Sequence, residues 1–305
     1  MKPDRIEEIA RILVQDVHDL SWDRTRGTSA MRGRLGRRRQ RALLAVRGGL
    51  CVFRCLNIVD ANPRVLSELT SQMTGPARLE LAQRSGSSSF AASWPLDLVA
   101  NGTARAVASD LAWVRTGSPR LPRVVPLTTE VRQRLKDAVA ADGRVVEVAA
   151  NGQTWDFIVP QGPASMQVCA WQPTETLVAF TSLVTNCPGP DGAGHRAFAR
   201  LACVLNGRLR WVRLARRGTA IEAQVIVPAE AISPSLWKLA RQALSAAITW
   251  GRPLLRIVQD PSVGSVFERI HAPSRRRRVA HAPHGATASP ITSLTDETRL
   301  VTRQP

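Results

Sequence analysis

Apolar positions in the second half of the chain recur with two periods. Over 195–205, Phe198, Leu201, Ala202 and Leu205 stand three and four apart, the spacing of one helical face. Asn206-Gly207 predicts the end of that helix. Residues 208–216 then alternate as a strand, Arg217-Gly218 supplies a turn, and 221–227 alternate again. Ile221, Ala223, Val225 and Val227 share one face of this second strand, and Pro228 closes it. Ser233 followed by Pro234 predicts a helix start: the serine oxygen can accept an orphan N–H, and proline has none to lose. Leu236, Leu239, Ala240, Ala243, Leu244, Ala247 and Ile248 form an apolar stripe along that helix. The stretch 195–270 thus predicts helix, strand, strand, helix.

The rest of the chain follows the same rules. Asp4 and Glu7 resemble a capping box, and Ile6, Ile9, Leu13, Val14 and Val17 make the apolar face of a first helix carrying His18. Trp22-Asp23 suggests a short strand. Residues 42–46 and 50–58 predict a hairpin about Gly48-Gly49. Asn62-Pro63 opens a helix to Met73, and a strand pair follows at 77–84 and 88–94. Asn101 begins a helix with Ala104, Val107, Ala108, Leu111 and Val114 inward. Three prolines in 116–126 mark a linker. Thr128 or Thr129 then caps a helix with Val131, Leu135, Ala138 and Val139 inward, and strands are expected at 144–149, 154–159, 166–172 and 176–184.

Parts of the two halves match. Residues 79–84 align with 212–217 at an offset of 133, the separation of Leu79 and Val212. Pro95 and Pro228 keep that offset, as do Ser21-Trp22-Asp23 and Thr154-Trp155-Asp156. Trp113 and Trp250 match at 137, as a small insertion would produce. This period is that of a whole domain. The expectation is an α+β fold of two tandem copies, each ordered α-β-β-β-α-β-β-α with an antiparallel sheet, packed as a pseudo-dimer in a monomeric chain. The copies span 1–115 and 127–270, the linker 116–126, and a disordered basic tail 271–305.

The order of elements carried by 197–206, 208–216, 221–227 and 233–258 resembles the type III secretion chaperone and YbjN-like fold. The resemblance covers most of the second copy and reaches the first through the internal match. It implies a peptide-binding, chaperone-like module and brings no site residues with it.

Composition changes the picture in two ways. The net charge is +18, and only Lys2, Lys136 and Lys238 among the 42 basic residues are lysine. Arginine excess with no tyrosine fits the bias of a GC-rich genome, yet still makes a surface attractive to nucleic acid or acidic peptide. The chain opens on a charged helix without an apolar signal core and has no apolar run of about 18 residues, which predicts a cytoplasmic protein with no membrane partner. Five cysteines in no framework spacing predict reduced, buried thiols.

The chemistry-bearing motifs are few. There is no HExxH, CxxC, GxxxxGK or GxSxG, and no carboxylate or cysteine is spaced with His18, His195, His271, His281 or His284 as ligands or triad partners. The expectation is a non-enzyme with no catalytic residue, no metal and no cofactor. Gly189–Gly194 reads as a connection, since it lacks the lysine and hydroxyl of a phosphate loop. Cys51 and Cys55 read as small core residues.

Two functions remain. The first is a non-enzymatic protein or peptide client bound by strand addition at a sheet edge. Trp155, Trp171 and Trp211 with Arg213, and Arg210 beside it, would form its exposed aromatic grip. The second is nucleic acid, gripped by the arginine runs at 32–41 and 275–278, with Arg37, Arg38, Arg39, Arg275 and Arg276 foremost. A continuous basic stripe favours nucleic acid. An open edge beside an apolar groove favours peptide.

Overall fold

A computed structural model describes residues 4–23, 30–36, 40–57, 62–81, 87–95, 101–116, 124–143, 145–161, 164–188 and 193–271. No helix among them is long and apolar enough to cross a membrane. The first half runs α1 (Asp4–Asp16), β1 (Leu20–Trp22), β2 (Ala30–Leu35), β3 (Gln40–Arg47), β4 (Leu50–Leu56), α2 (Pro63–Gln72), β5 (Ala77–Leu81), β6 (Ser88–Pro95) and α3 (Asn101–Thr116). The second runs α4 (Thr129–Ala140), β7 (Val146–Ala150), β8 (Thr154–Gln161), β9 (Ala164–Thr174), β10 (Leu177–Asn186), α5 (Ala193–Asn206), β11 (Arg213–Arg217), β12 (Ala220–Pro228), α6 (Pro234–Ile257) and α7 (Pro261–His271).

Both sheets are antiparallel and share one topology. The first is ordered β1-β2-β3-β4-β6-β5 and the second β7-β8-β9-β10-β12-β11. The α+β class and the tandem sheets are therefore those expected. Each half holds four strands before its middle helix, one more than the expected order. Local chemistry explains the boundaries. Asn62 accepts from the Arg64 N–H ahead of Pro63, Thr128 from Val131 and Ser233 from Leu236. Gly48 and Gly49 both have positive φ, 55° and 75°, as the tight β3–β4 turn requires.

Register corrects the internal match. Trp22 lies on the first strand of its sheet, whereas Trp155 lies on the second strand of the other. With Pro95 set against Pro228, Phe90 corresponds to Ala223; their partners across the ladder are Leu79 and Leu214. Leu79 thus answers to Leu214, two residues beyond Val212. A slip of two keeps the same face of the strand, which is why the pattern hid it. The same register makes Arg78 and Arg213 equivalents.

These two arginines sit at the seam between the halves, where α2 packs on α5, α5 on β5 and α2 on β11. Arg78 donates to the carbonyls of Asn206 (2.8 Å) and Leu209 (3.1 Å) in the second half. Arg213 donates to those of Met73 (2.8 Å), Gly75 (2.9 Å) and Ala77 (2.9 Å) in the first. Each arginine thus holds the loop that precedes the other's strand. The loop 208–212 is bent for this purpose: Trp211 has φ 61°, a left-handed conformation, and its N–H meets Ser93 Oγ at 3.0 Å. Of the expected strand 208–216 only 213–216 is therefore strand, and it runs on to 217.

One buried apolar cluster runs through both halves. In the first, Phe53 meets Trp22 and Phe90 edge-on at 6.2 and 6.1 Å. In the second, Trp237 of α6 stands edge-on to Phe157 and Phe180, at 5.5 and 5.4 Å. Fully burying each such side chain is worth about 1.5–3 kcal/mol. Three smaller expectations shift. Val14 is exposed, His18 lies in the turn after α1, and α7 is an additional helix. The final 272–305, including most of the expected tail, lie outside the described residues.

Candidate functional site

The three tryptophans chosen as an exposed grip are between 6% and 8% exposed, and Arg213 is buried with them. They do not meet. Trp155 packs on Phe157 at 5.3 Å. Trp171 faces the other side of that sheet, under the Arg217 guanidinium at 5.2 Å, with Leu177, Ala179 and Ile226. Trp211 belongs to the bent loop at the seam. Burial overturns this set as a peptide surface; all four residues build the fold. Arg37, Arg38, Arg39, Arg275 and Arg276 lie outside the described residues.

The buried thiols and the imidazole of His195 are also structural. Cys51 and Cys55 share the inner face of β4, and burial pushes both thiols up to about 12. Cys169 and Cys203 are raised to about 12 for the same first reason. Such thiols stay protonated at neutral pH and are poor nucleophiles. His195 is buried at the start of α5, its Nδ1 3.4 Å from the Pro188 carbonyl oxygen. Residues 189–192 of the glycine-rich connection lie outside the described residues.

The sequence hid a different surface, on α6. Its buried side repeats at 237, 240, 244, 248, 251 and 255. A second apolar line runs beside it at Leu239, Ala243, Ala246, Trp250, Leu254 and Ile257, again spaced by threes and fours. Leu239 is 51% and Trp250 73% exposed, and Leu254 and Ile257 are also exposed. This is a seam spaced for a partner helix, exposed at every position but the half-buried Ala243. Leu239 was expected on the buried stripe and stands on this one.

A groove of about 830 Å³ opens next to the seam, between α6, the end of α4 and the end of β8. Its wall includes Trp237, Lys238, Arg241, Gln242 and Trp250. The one carboxylate in it, Asp142, is already used. It takes Trp237 Nε1 at 3.2 Å and Arg241 Nη1 at 2.9 Å. Lys238 has no carboxylate partner among the described residues, and α6 contains no Asp or Glu. Pro253 has no N–H to offer the Thr249 carbonyl, which leaves that acceptor at the groove without its helical donor. The site is therefore apolar along one line and cationic beside it.

A peptide was expected at a sheet edge, and the edge strand β7 is exposed along its length. It begins four residues after Asp142. A bulge between Glu147 and Ala149 breaks its ladder with β8, a device that blunts edges against pairing. The seam of α6 is the better-formed surface. Comparison with protein-family models, curated proteins and solved structures finds no match to this chain.

Proposed function

We propose that this chain is a non-enzymatic protein-binding module that seats an acidic amphipathic helix of a partner against α6. The observation that supports it most is the exposed seam of Leu239, Trp250, Leu254 and Ile257 beside a groove whose free charge is Lys238. A partner helix would set its apolar stripe on the seam and its carboxylates towards Lys238, Arg241, Arg252 and Arg256. Trp250 is the natural anchor, since aromatic side chains carry much of the energy of such interfaces. This keeps the peptide-binding role implied by the resemblance to secretion chaperones, and moves it from a sheet edge to a helix face.

A designed acidic heptad peptide tests the reading, with a charge-reversed peptide as control. A dye on the peptide reports binding by fluorescence anisotropy. The acidic peptide should bind at least about tenfold tighter, a difference of about 1.4 kcal/mol. Trp250→Ala should abolish that preference while leaving the melting temperature unchanged. Equal binding of both peptides, or of neither, would discard the proposal. A second reading, nucleic acid, is favoured by a separate surface on the first sheet.

A further inference from the structure

The two sheets differ most on their outer faces, turned away from the apolar core. On the second sheet that face holds Trp171, Leu177, Ala179 and Ile226, packed with Ala106 of α3 and Val124. It also carries Asp156 and Glu222. On the first sheet the corresponding face carries arginines, with Leu43, Leu50 and Val52 among them. Alternation places Arg32 and Arg34 of β2, Arg41 and Arg47 of β3 and Arg54 of β4 on one side. Arg32, Arg34, Arg41 and Arg47 are exposed. Arg210 approaches the same surface: a Cβ on Gly48, in the β3–β4 turn, would lie 3.6 Å from its Nη1.

Three features separate this face from a solvated surface of scattered charge. First, Arg34 and Arg41 are direct partners across the β2–β3 ladder. Like charges so placed destabilise a sheet, so folding does not account for them. Second, carboxylates are nearly absent among the described residues of this face. Glu80 is buried between Arg54 and Arg78, and of those described only Asp23, at the edge beside Arg32, is exposed. No carboxylate among the described residues forms an ion pair with Arg32, Arg34, Arg41 or Arg47. Third, the strands place no aromatic side chain on this face. Trp22, Phe53, Phe90 and Trp94 all point to the core side of this sheet.

We infer that the outer face of the first sheet binds the phosphate backbone of a nucleic-acid duplex, independently of sequence, at a site distinct from the α6 groove. Guanidinium groups on a rigid sheet suit phosphate oxygens, which they meet with paired N–H donors. Single-strand binders stack bases on aromatic rings, and this face offers none. It also presents no helix for the major groove. The sequence places Arg37, Arg38 and Arg39 in the connection between β2 and β3, outside the described residues.

The test uses the full chain, a duplex DNA of mixed sequence, the single strand of equal length, and vesicles rich in anionic lipid. Affinity for the duplex should fall steeply with salt. Four phosphate contacts give a slope of log K on log salt near about −3.6, on top of any contribution from the other arginines. Changing Arg32, Arg34, Arg41 and Arg47 together to Gln should make the slope shallower by about that amount. The slope is the readout because the Arg275–Arg278 run carries positive charge as well. The Arg34→Gln, Arg41→Gln pair should weaken binding while melting stays level or rises, since it removes a repulsion. No duplex binding at low salt would overturn the inference, as would an unchanged slope in the fourfold variant. Single-strand affinity equal to or above that of the duplex would also overturn it. Vesicles binding more tightly than duplex, with loss in the same variant, would reassign the face to a membrane surface and equally overturn it.

Discussion

Arg213 is enclosed by protein, and its charge is spread over carbonyl oxygens at positions 73, 75 and 77, with Gln224 Oε1 at 2.9 Å. Burial lowers it to about 10, Asp110 opposing and Arg78 adding to the shift. It therefore remains charged at neutral pH. Arg213→Ala would leave three carbonyls without their donor at the seam. Each buried group so orphaned costs about 1–3 kcal/mol, so a loss of at least about 3 kcal/mol is expected in urea unfolding. Arg216, which among the described residues donates to the Gly218 carbonyl, is the comparison. Its alanine variant should stay within about 0.5 kcal/mol. Equal effects would show that the seam does not depend on Arg213. Residue type did not reveal this role. An arginine at the start of a basic strand reads as a surface charge, and only the loop folded over it by the other half makes it buried. The three tryptophans failed for the related reason that alternation shows which side a residue faces, and not what covers that side.

At the scale of the element, α6 shows both what periodicity reveals and what it conceals. Its start was legible in Ser233-Pro234, and its buried face in Ala240, Leu244, Ala247 and Ile248. The expected stripe merged two lines, however. Trp237 was left out of the buried one, and Leu239 was placed on it. A helix that is apolar over much of its girth offers several stripes of near-equal merit, and choosing between them needs the neighbouring sheet. The consequence is measurable. Leu244 is fully buried, and Leu244→Ala should cost about 2–5 kcal/mol. Leu239→Ala should stay within about 0.5 kcal/mol of the parent chain and act on partner binding instead. A large loss at Leu239 would mean the helix is rotated from the arrangement described. The helix α7 was missed although it had a start signal: Asp260 Oδ1 accepts from the N–H of Ser262 (2.8 Å) and Val263 (3.3 Å), with Pro261 between. Residues 261–270 were given no element of their own, and His271 was placed in the tail.

Across the whole molecule, the duplication was legible because two copies of one topology retain turn and closing residues such as Pro95 and Pro228. Its register was less so, since an even slip leaves every side chain on its own face. The seam between the copies was not legible at all. It is made of loop carbonyls, which carry no side-chain signature, and of contacts about 130 residues apart, such as Arg78 to Asn206. That seam also makes the halves interdependent. Without the second half, Arg78 loses the carbonyls at 206 and 209, and α2 and β5 lose α5. Without the first, Arg213 loses three acceptors, and the apolar face of Trp171 and Ile226 loses Ala106. Neither half should therefore fold alone as a monomer. Residues 1–120 and 121–271, expressed apart, should give poorly dispersed amide spectra or self-associate. Mixed, they should form a one-to-one complex that melts cooperatively, because each supplies the loop that the other's arginine holds. A half that folds alone as a monomer, with a sharp amide spectrum and a cooperative melt, would show that the seam joins two complete domains rather than completing them. Arg213→Ala in the second half should weaken the reassembled complex, whereas Arg216→Ala should leave it intact, which ties the assembly to the seam and not to general apolar association.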